Sequence, residues 1–241
     1  MAHFSHDIMQ RLQQEILPLQ GYSASGSGKT DVGLGVIQDA FPQRRFPTGA
    51  IHEFIAGNRE SLAATSGFLA GILSALMKKN AAAIWIGTST RIYPPALLAY
   101  NIHPEHIIFL DLKKSTDKLW AAEESLKCEG LAAVICETAD LDFTASRRLQ
   151  LAVEQSKVTG FILRNDLRRI NTTACLTRWE IKPLPSHTIG DLPGPGYPRW
   201  KVDLLKARNG KPGSWELEWV AGKFQLLPAI SPQQEYLIKT A

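Results

Sequence analysis

Between Ala50 and Arg164 the chain alternates short, almost wholly apolar runs with longer amphipathic ones, and this rhythm limits its fold more than any other feature. AIHEFIA (50–56), AAAIWIG (81–87), HIIFLD (106–111), LAAVICE (131–137) and GFILR (160–164) read as strands. Continuous apolar character is what a strand covered on both faces requires. ESLAATSGFLAGILSALMKK (60–79), STDKLWAAEESLKCEG (115–130) and TASRRLQLAVEQSKVTG (144–160) read as helices. The second of these has a Ser/Thr cap and a closing Gly130, and the third repeats Leu149, Val153 and Lys157 at four-residue spacing. YPPALLAYNI (93–102) follows the second strand, with Pro95 where the first turn of a helix accepts a proline. Connections this short leave room only for right-handed crossovers, so the expected product is a parallel, helix-covered α/β sheet.

After Leu167 the helical runs stop. CLTRWEIKPL, RWKVDLLKA, SWELEWV and KFQLLPA are strand-like, and RNGKPG (208–213) joins two of them as an Asn-Gly hairpin. Alternation puts Trp215, Leu217 and Trp219 on one face and Glu216 and Glu218 on the other, as a half-exposed antiparallel strand requires. The sheet is therefore expected to be mixed, mostly parallel, with C-terminal antiparallel strands. Ahead of it, Ile8, Leu12 and Ile16 mark an amphipathic helix ending near Pro18, followed by a Gly-, Ser- and Pro-rich stretch without periodicity. The expected organisation is an N-terminal helix and flexible loop (1–46), one α/β domain (47–228) and a disordered or partner-docking tail (229–241).

Composition narrows the class. The three cysteines, Cys128, Cys136 and Cys175, form no Cys-x-x-Cys pair, which argues against a disulfide scaffold or zinc site and fits a reducing compartment. The N-terminus breaks its apolar residues with Gln, Asp and Arg, unlike a signal peptide. The apolar stretch 61–77 contains Ser and Thr and suits a core helix better than a membrane span. A cytoplasmic protein without membrane contact is the expectation. A net charge of +4 is compatible with an anionic partner without demanding one.

SASGSGKT (23–30) looks like the tail of a phosphate-binding P-loop. The full pattern needs glycine five residues before Gly28, where Ser23 stands, and it needs a strand before the loop and a helix after it. A helix precedes this segment, and Gly33 and Gly35 follow, so Lys29 is read as a loop residue. The first strand-to-helix junction is AGNRESLAA (56–64). Gly57, Arg59 and Ser61 occupy the P-loop position there, but no lysine does, and the Glu60 carboxylate would repel a phosphate.

FPTGAIHEFIAG, IWIGTSTRIYPPALLAYNI, LAAVICE, SRRLQLAVEQSKVTGFILR, TRWEIKPLPS and RWKVDLLKARNGKPGSWELEW, in this order, closely resemble the ImuA family, RecA-like proteins of bacterial inducible, error-prone DNA repair. The likeness runs from about Asp31 to Trp219, and its more specific parts are Gly49-x-Ile51-His52-Glu53 and the closing Arg-Trp … Arg-Asn-Gly-x-Pro-Gly-x-Trp. It implies a RecA-like three-layer domain. Against the RecA core, the P-loop position lacks its lysine, and Gly87 and Thr88 stand where such ATPases carry the water-activating glutamate. Glu137 keeps a carboxylate at the Walker B position, which fits either magnesium in a nucleotide complex or a polar residue closing a strand.

The resemblance thus implies no catalytic residue, no resident cofactor and no metal site, with residual nucleotide binding left open. The implied role is an accessory one in damage-induced mutagenesis and translesion synthesis. The implied partners are RecA and ImuB and, through ImuB, an error-prone C-family DNA polymerase. The alternatives are an atypical RecA-type ATPase and a single-stranded DNA-binding repair protein.

Other motifs add little. His52-Glu53 lacks the second histidine of a zinc protease, since Ala56 stands there, and adjacent strand residues face opposite ways. His103 and His106 sit in a loop without a ligand constellation. Basic residues are more suggestive: Arg164, Arg168, Arg169 and Arg178 crowd the end of the parallel sheet beside Trp179, while Lys206, Arg208 and Lys211 decorate the hairpin. Arginines among tryptophans suit a protein partner or a nucleic-acid strand, while solvated surface is the plainer alternative.

Overall fold

The structure is a computed structural model, and it describes residues 31–77, 81–88, 92–166, 170–187 and 196–228. Five strands, β1 (Ile51–Ile55), β2 (Ala82–Gly87), β3 (Ile107–Asp111), β4 (Leu131–Thr138) and β5 (Thr159–Arg164), fall on the apolar runs of the sequence. Four more follow: β6 (Thr177–His187), β7 (Tyr197–Ala207), β8 (Gly213–Val220) and β9 (Lys223–Leu226). All nine form one sheet in the order β3-β2-β4-β5-β1-β6-β7-β8-β9. Pairing is parallel from β3 through β6 and antiparallel from β6 to β9, so the sheet is mixed as expected.

Helix α1 (Arg59–Leu76) covers one face, and α2 (Ser115–Leu126) and α3 (Phe143–Ser156) cover the other, making three layers. Beneath α1 the core is aromatic: Phe54, Phe68, Phe161, Trp179 and Trp200 are buried, with Phe54 and Trp179 stacked at 5.9 Å and 7°. Beneath α2 and α3 it is aliphatic, built from Ile51, Ile86, Val134 and Ile162 of the sheet and Leu126, Leu149 and Val153 of the helices. Complete burial of each such side chain contributes about 1.5–3 kcal/mol.

Several local expectations change. No Ser/Thr side chain caps α2, which begins at Ser115 after Lys114 and ends on Lys127 rather than Gly130. In α3 Asp142 is the cap, its carboxylate accepting the Ala145 N–H at 2.7 Å. Lys157 is not part of the helical stripe; it closes the helix in the left-handed region, φ 62°. Pro94–Tyr100 forms a 3-10 helix rather than a regular one, with Pro94 and Pro95 in its first turn, where a missing amide donor leaves no helical bond unmade.

The larger correction concerns residues 31–46. They contain no strand, but Val32, Leu34, Ile37, Phe41 and Phe46 are buried against the α1 face, in and around two short 3-10 turns, Gly35–Ala40 and Pro42–Arg44. This stretch is a packed part of the domain rather than a loop, held by side-chain fit that has no period to read. The N-terminal helix and the 229–241 tail lie outside the described residues.

Candidate functional site

Because β1 to β5 are parallel, their C-terminal ends share one edge, the place where open α/β sheets bind ligands. At the end of β1, Gly57, Asn58, Arg59 and Glu60 are exposed and Ser61 is buried. The Asn58 side chain accepts the Ser61 N–H at 2.7 Å, so a first-turn donor that a phosphate would use is occupied by the helix's own cap. Glu60 puts a negative charge in that turn, which favours the helix and opposes an anion. Lys29 lies outside the described residues.

Glu137, next to last in β4, is fully buried, and its Oε1 accepts the Trp85 indole N–H at 2.9 Å. The carboxylate lies over Gly87: a Cβ placed on that glycine would stand 3.0 Å from Glu137 Cδ and 3.1 Å from Oε1. The bare glycine of β2 is thus what makes room for the glutamate of β4. Beside them is a pocket of about 260 Å³ lined by Trp85, Ile92, Pro94, Phe109, Asp111 and Glu137. Its walls are mostly apolar, and it falls below the roughly 300–1,000 Å³ of typical small-molecule sites. Strand β5 separates this corner from the Gly57–Ser61 turn.

The densest polar cluster lies elsewhere, on the α2–α3 face beneath the β5–β6 connection. Glu53 Oε1 accepts from Arg164 at 3.0 Å, and Oε2 accepts from Arg178 Nε and the Thr173 hydroxyl, each at 2.8 Å. Arg178 also donates to the Asn171 carbonyl at 2.6 Å. The Lys206 ammonium donates to the carbonyls of Thr173 (3.1 Å) and Cys175 (3.4 Å), and Arg208 to that of Ala174 (3.1 Å). Burial, then the nearby Arg178 charge, holds Lys206 below the ordinary lysine pKa. Burial also raises the Cys175 thiol to about 12, so it stays protonated. These groups fasten the connection to the sheet, and Thr173 joins a cluster that basic residues alone do not reveal.

The surface reading of the arginine–tryptophan set is corrected accordingly. Arg164 is buried in its ion pair, and Trp179 is a core residue whose N–H donates to Thr177 Oγ1 at 2.7 Å. Trp200 is buried as well. Arg178 and Arg208 are partly buried and engaged, Lys211 is exposed, and Arg168 and Arg169 lie outside the described residues. Gly49, His52 and Glu53 of the Gly-x-Ile-His-Glu start each have structural work. Gly49 has φ +67°, and a Cβ there would meet the Lys157 carbonyl oxygen at 3.1 Å. His52 is buried on the α1 face, with Nε2 at 2.8 Å from the Pro47 carbonyl and Nδ1 at 2.7 Å from Thr177 Oγ1. The indole–carboxylate pair of Trp85 and Glu137 was missed from sequence, although an indole in a buried strand needs an acceptor.

Among the described residues no group of three or more His, Cys, Asp or Glu side chains is placed to hold a metal ion, and no helix is long and apolar enough to cross a membrane.

These features define a class: a three-layer α/β domain with a mixed sheet, whose most connected polar cluster fastens its own backbone. No protein-family model matches the chain. It is 31% identical over 194 residues to Protein ImuA of Caulobacter vibrioides strain NA1000 / CB15N, covering 76% of this chain and 80% of that protein. Protein ImuA of strain ATCC 19089 / CIP 103742 / CB 15 matches to the same extent. The chain belongs to the ImuA family.

Proposed function

We propose that this chain is a non-catalytic accessory protein of damage-induced mutagenesis and translesion synthesis, a RecA-like domain that binds RecA and ImuB and helps bring an error-prone DNA polymerase to lesions. Family membership carries this reading. Two features of the sheet edge support its non-catalytic part. The P-loop position has Asn58 capping its own helix and no lysine among residues 56–64. At the second-strand position, Gly87 makes way for Glu137, which the Trp85 indole holds. A domain of this shape works by contact, pairing its surface with RecA protomers or with ImuB and needing no hydrolysis to do so.

The test is a pull-down of the purified full chain against RecA and against ImuB, each with and without ATP and DNA. Retention of both partners without added nucleotide is expected. Loss of both interactions under all conditions overturns the proposal. Saturable binding of fluorescent ATP that Lys29→Ala abolishes would instead favour an ATPase.

A further inference from the structure

The two outer strands of the sheet are finished differently. β9 alternates polar Lys223 and Gln225 with Phe224 and Leu226 over four residues, and a short edge carrying a lysine resists pairing. β3, at the other end, reads Ile107-Ile108-Phe109-Leu110 with no charge before Asp111. Ile108 is 50% exposed and Phe109 39% exposed, one on each face. An apolar edge of this kind is a template for a further strand.

The backbone sets which further strand fits. The Leu112 N–H donates to the Gly87 carbonyl of β2 at 3.0 Å. Backbone groups alternate sides along a strand, so those of Ile108 and Leu110 also face β2 and those of Ile107, Phe109 and Asp111 face outward. That outward set is symmetric about Phe109.

We infer that a second copy of this chain pairs antiparallel with β3 about a twofold axis at Phe109, joining two nine-stranded sheets into one. In this register Phe109 faces its own counterpart as a hydrogen-bonded pair, and Ile108 lies beside Leu110 of the second copy. Ile107 meets Asp111, which is already engaged within its own chain. Charge placement agrees with the register. Lys113, exposed just past one end of β3, comes near Glu105, which is exposed in the 3-10 turn Pro104–His106 just ahead of the other end in the second copy. A twofold interface must be self-complementary, and an acidic approach with a basic exit supplies that.

Sedimentation of the full chain at concentrations up to about 100 µM, a range that captures weak dimers, tests the inference. A dimer is expected, and Ile108→Lys should weaken it at least about tenfold by placing a charge in the edge. Lys113→Glu and Glu105→Lys should each weaken it, and combining them should restore it. These two lie outside the strand and test the register even if Ile108→Lys fails to fold. A monomeric wild type overturns the inference. So does a dimer that a folded Ile108→Lys variant retains, or a double charge reversal no better than the singles.

Discussion

His52 and Glu53 are neighbours in β1 and point to opposite faces of the sheet, where each secures a different length of chain. The Pro47 carbonyl can only accept, so His52 Nε2 carries the proton and Nδ1 accepts from the Thr177 hydroxyl, whose oxygen takes the Trp179 N–H. This relay holds the end of the N-terminal segment beside Phe46, which stacks on the imidazole at 4.4 Å. Glu53 on the other side holds the β5–β6 connection through Thr173 and, by way of Arg178, Asn171. A His-Glu pair that looks chemical in the sequence works as two clamps.

Glu53→Ala should destabilise the domain by about 3–5 kcal/mol, because it removes the carboxylate from a buried guanidinium, that of Arg164. Urea unfolding monitored by tryptophan fluorescence measures this. A loss under about 1 kcal/mol, the scale of an exposed ion pair, would contradict the clamp.

His52 makes the fold acid-sensitive. Burial pushes its pKa down to about 3, partly offset by the bond to the Pro47 carbonyl. The unfolded chain takes the proton near pH 6.5, while the folded one stays neutral until about pH 3. Stability is therefore lost as pH falls through this window, with about 2 kcal/mol gone between pH 7 and pH 5. His52→Gln, which cannot charge, should flatten that part of the stability–pH curve. Equal slopes for variant and wild type would exclude His52 as the cause.

The strands were legible because each carries its signature locally: buried parallel strands are continuously apolar, and β8 alternates in sequence, although Glu218, expected on an exposed face, is buried in its ion pair with Arg199. Residues 31–46 were not, since Val32, Leu34, Ile37, Phe41 and Phe46 follow neither a helical nor a strand period and are fixed by where they land. The Arg178-Trp179 dipeptide misled in a different way. Adjacent strand residues face opposite ways, so the tryptophan enters the aromatic core while the arginine reaches Glu53. The Glu53–Arg164 and Trp85–Glu137 pairs join distant parts of the chain, and composition gives no sign of which charge meets which.

Trp179→Ala should cost about 3–5 kcal/mol, the penalty for emptying a filled aromatic site. Lys211→Ala, an exposed change, should stay within about 0.5 kcal/mol. Thermal and chemical melts of the two side by side separate core from surface. If Trp179→Ala lost partner binding with unchanged stability, the residue would belong to an interface after all.

Gly87 and Glu137 offer the sharpest test of the sheet edge. Gly87→Ala places a Cβ 3.0 Å from Glu137 Cδ, in a corner where the Trp85 indole already fixes the carboxylate. The carboxylate must shift from that bond or the strands must part, and such overpacking costs about 1–3 kcal/mol. Gly87→Glu goes further, setting a second carboxylate against a buried one, and should destabilise more than alanine does. It should bring no ATP hydrolysis either, because Asn58 caps the Gly57–Ser61 turn and that turn holds no lysine for the phosphates. Melting curves with a phosphate-release assay check both halves. A stable Gly87→Glu protein that turned over ATP would mean that the edge still holds a nucleotide and that only its glutamate had been lost.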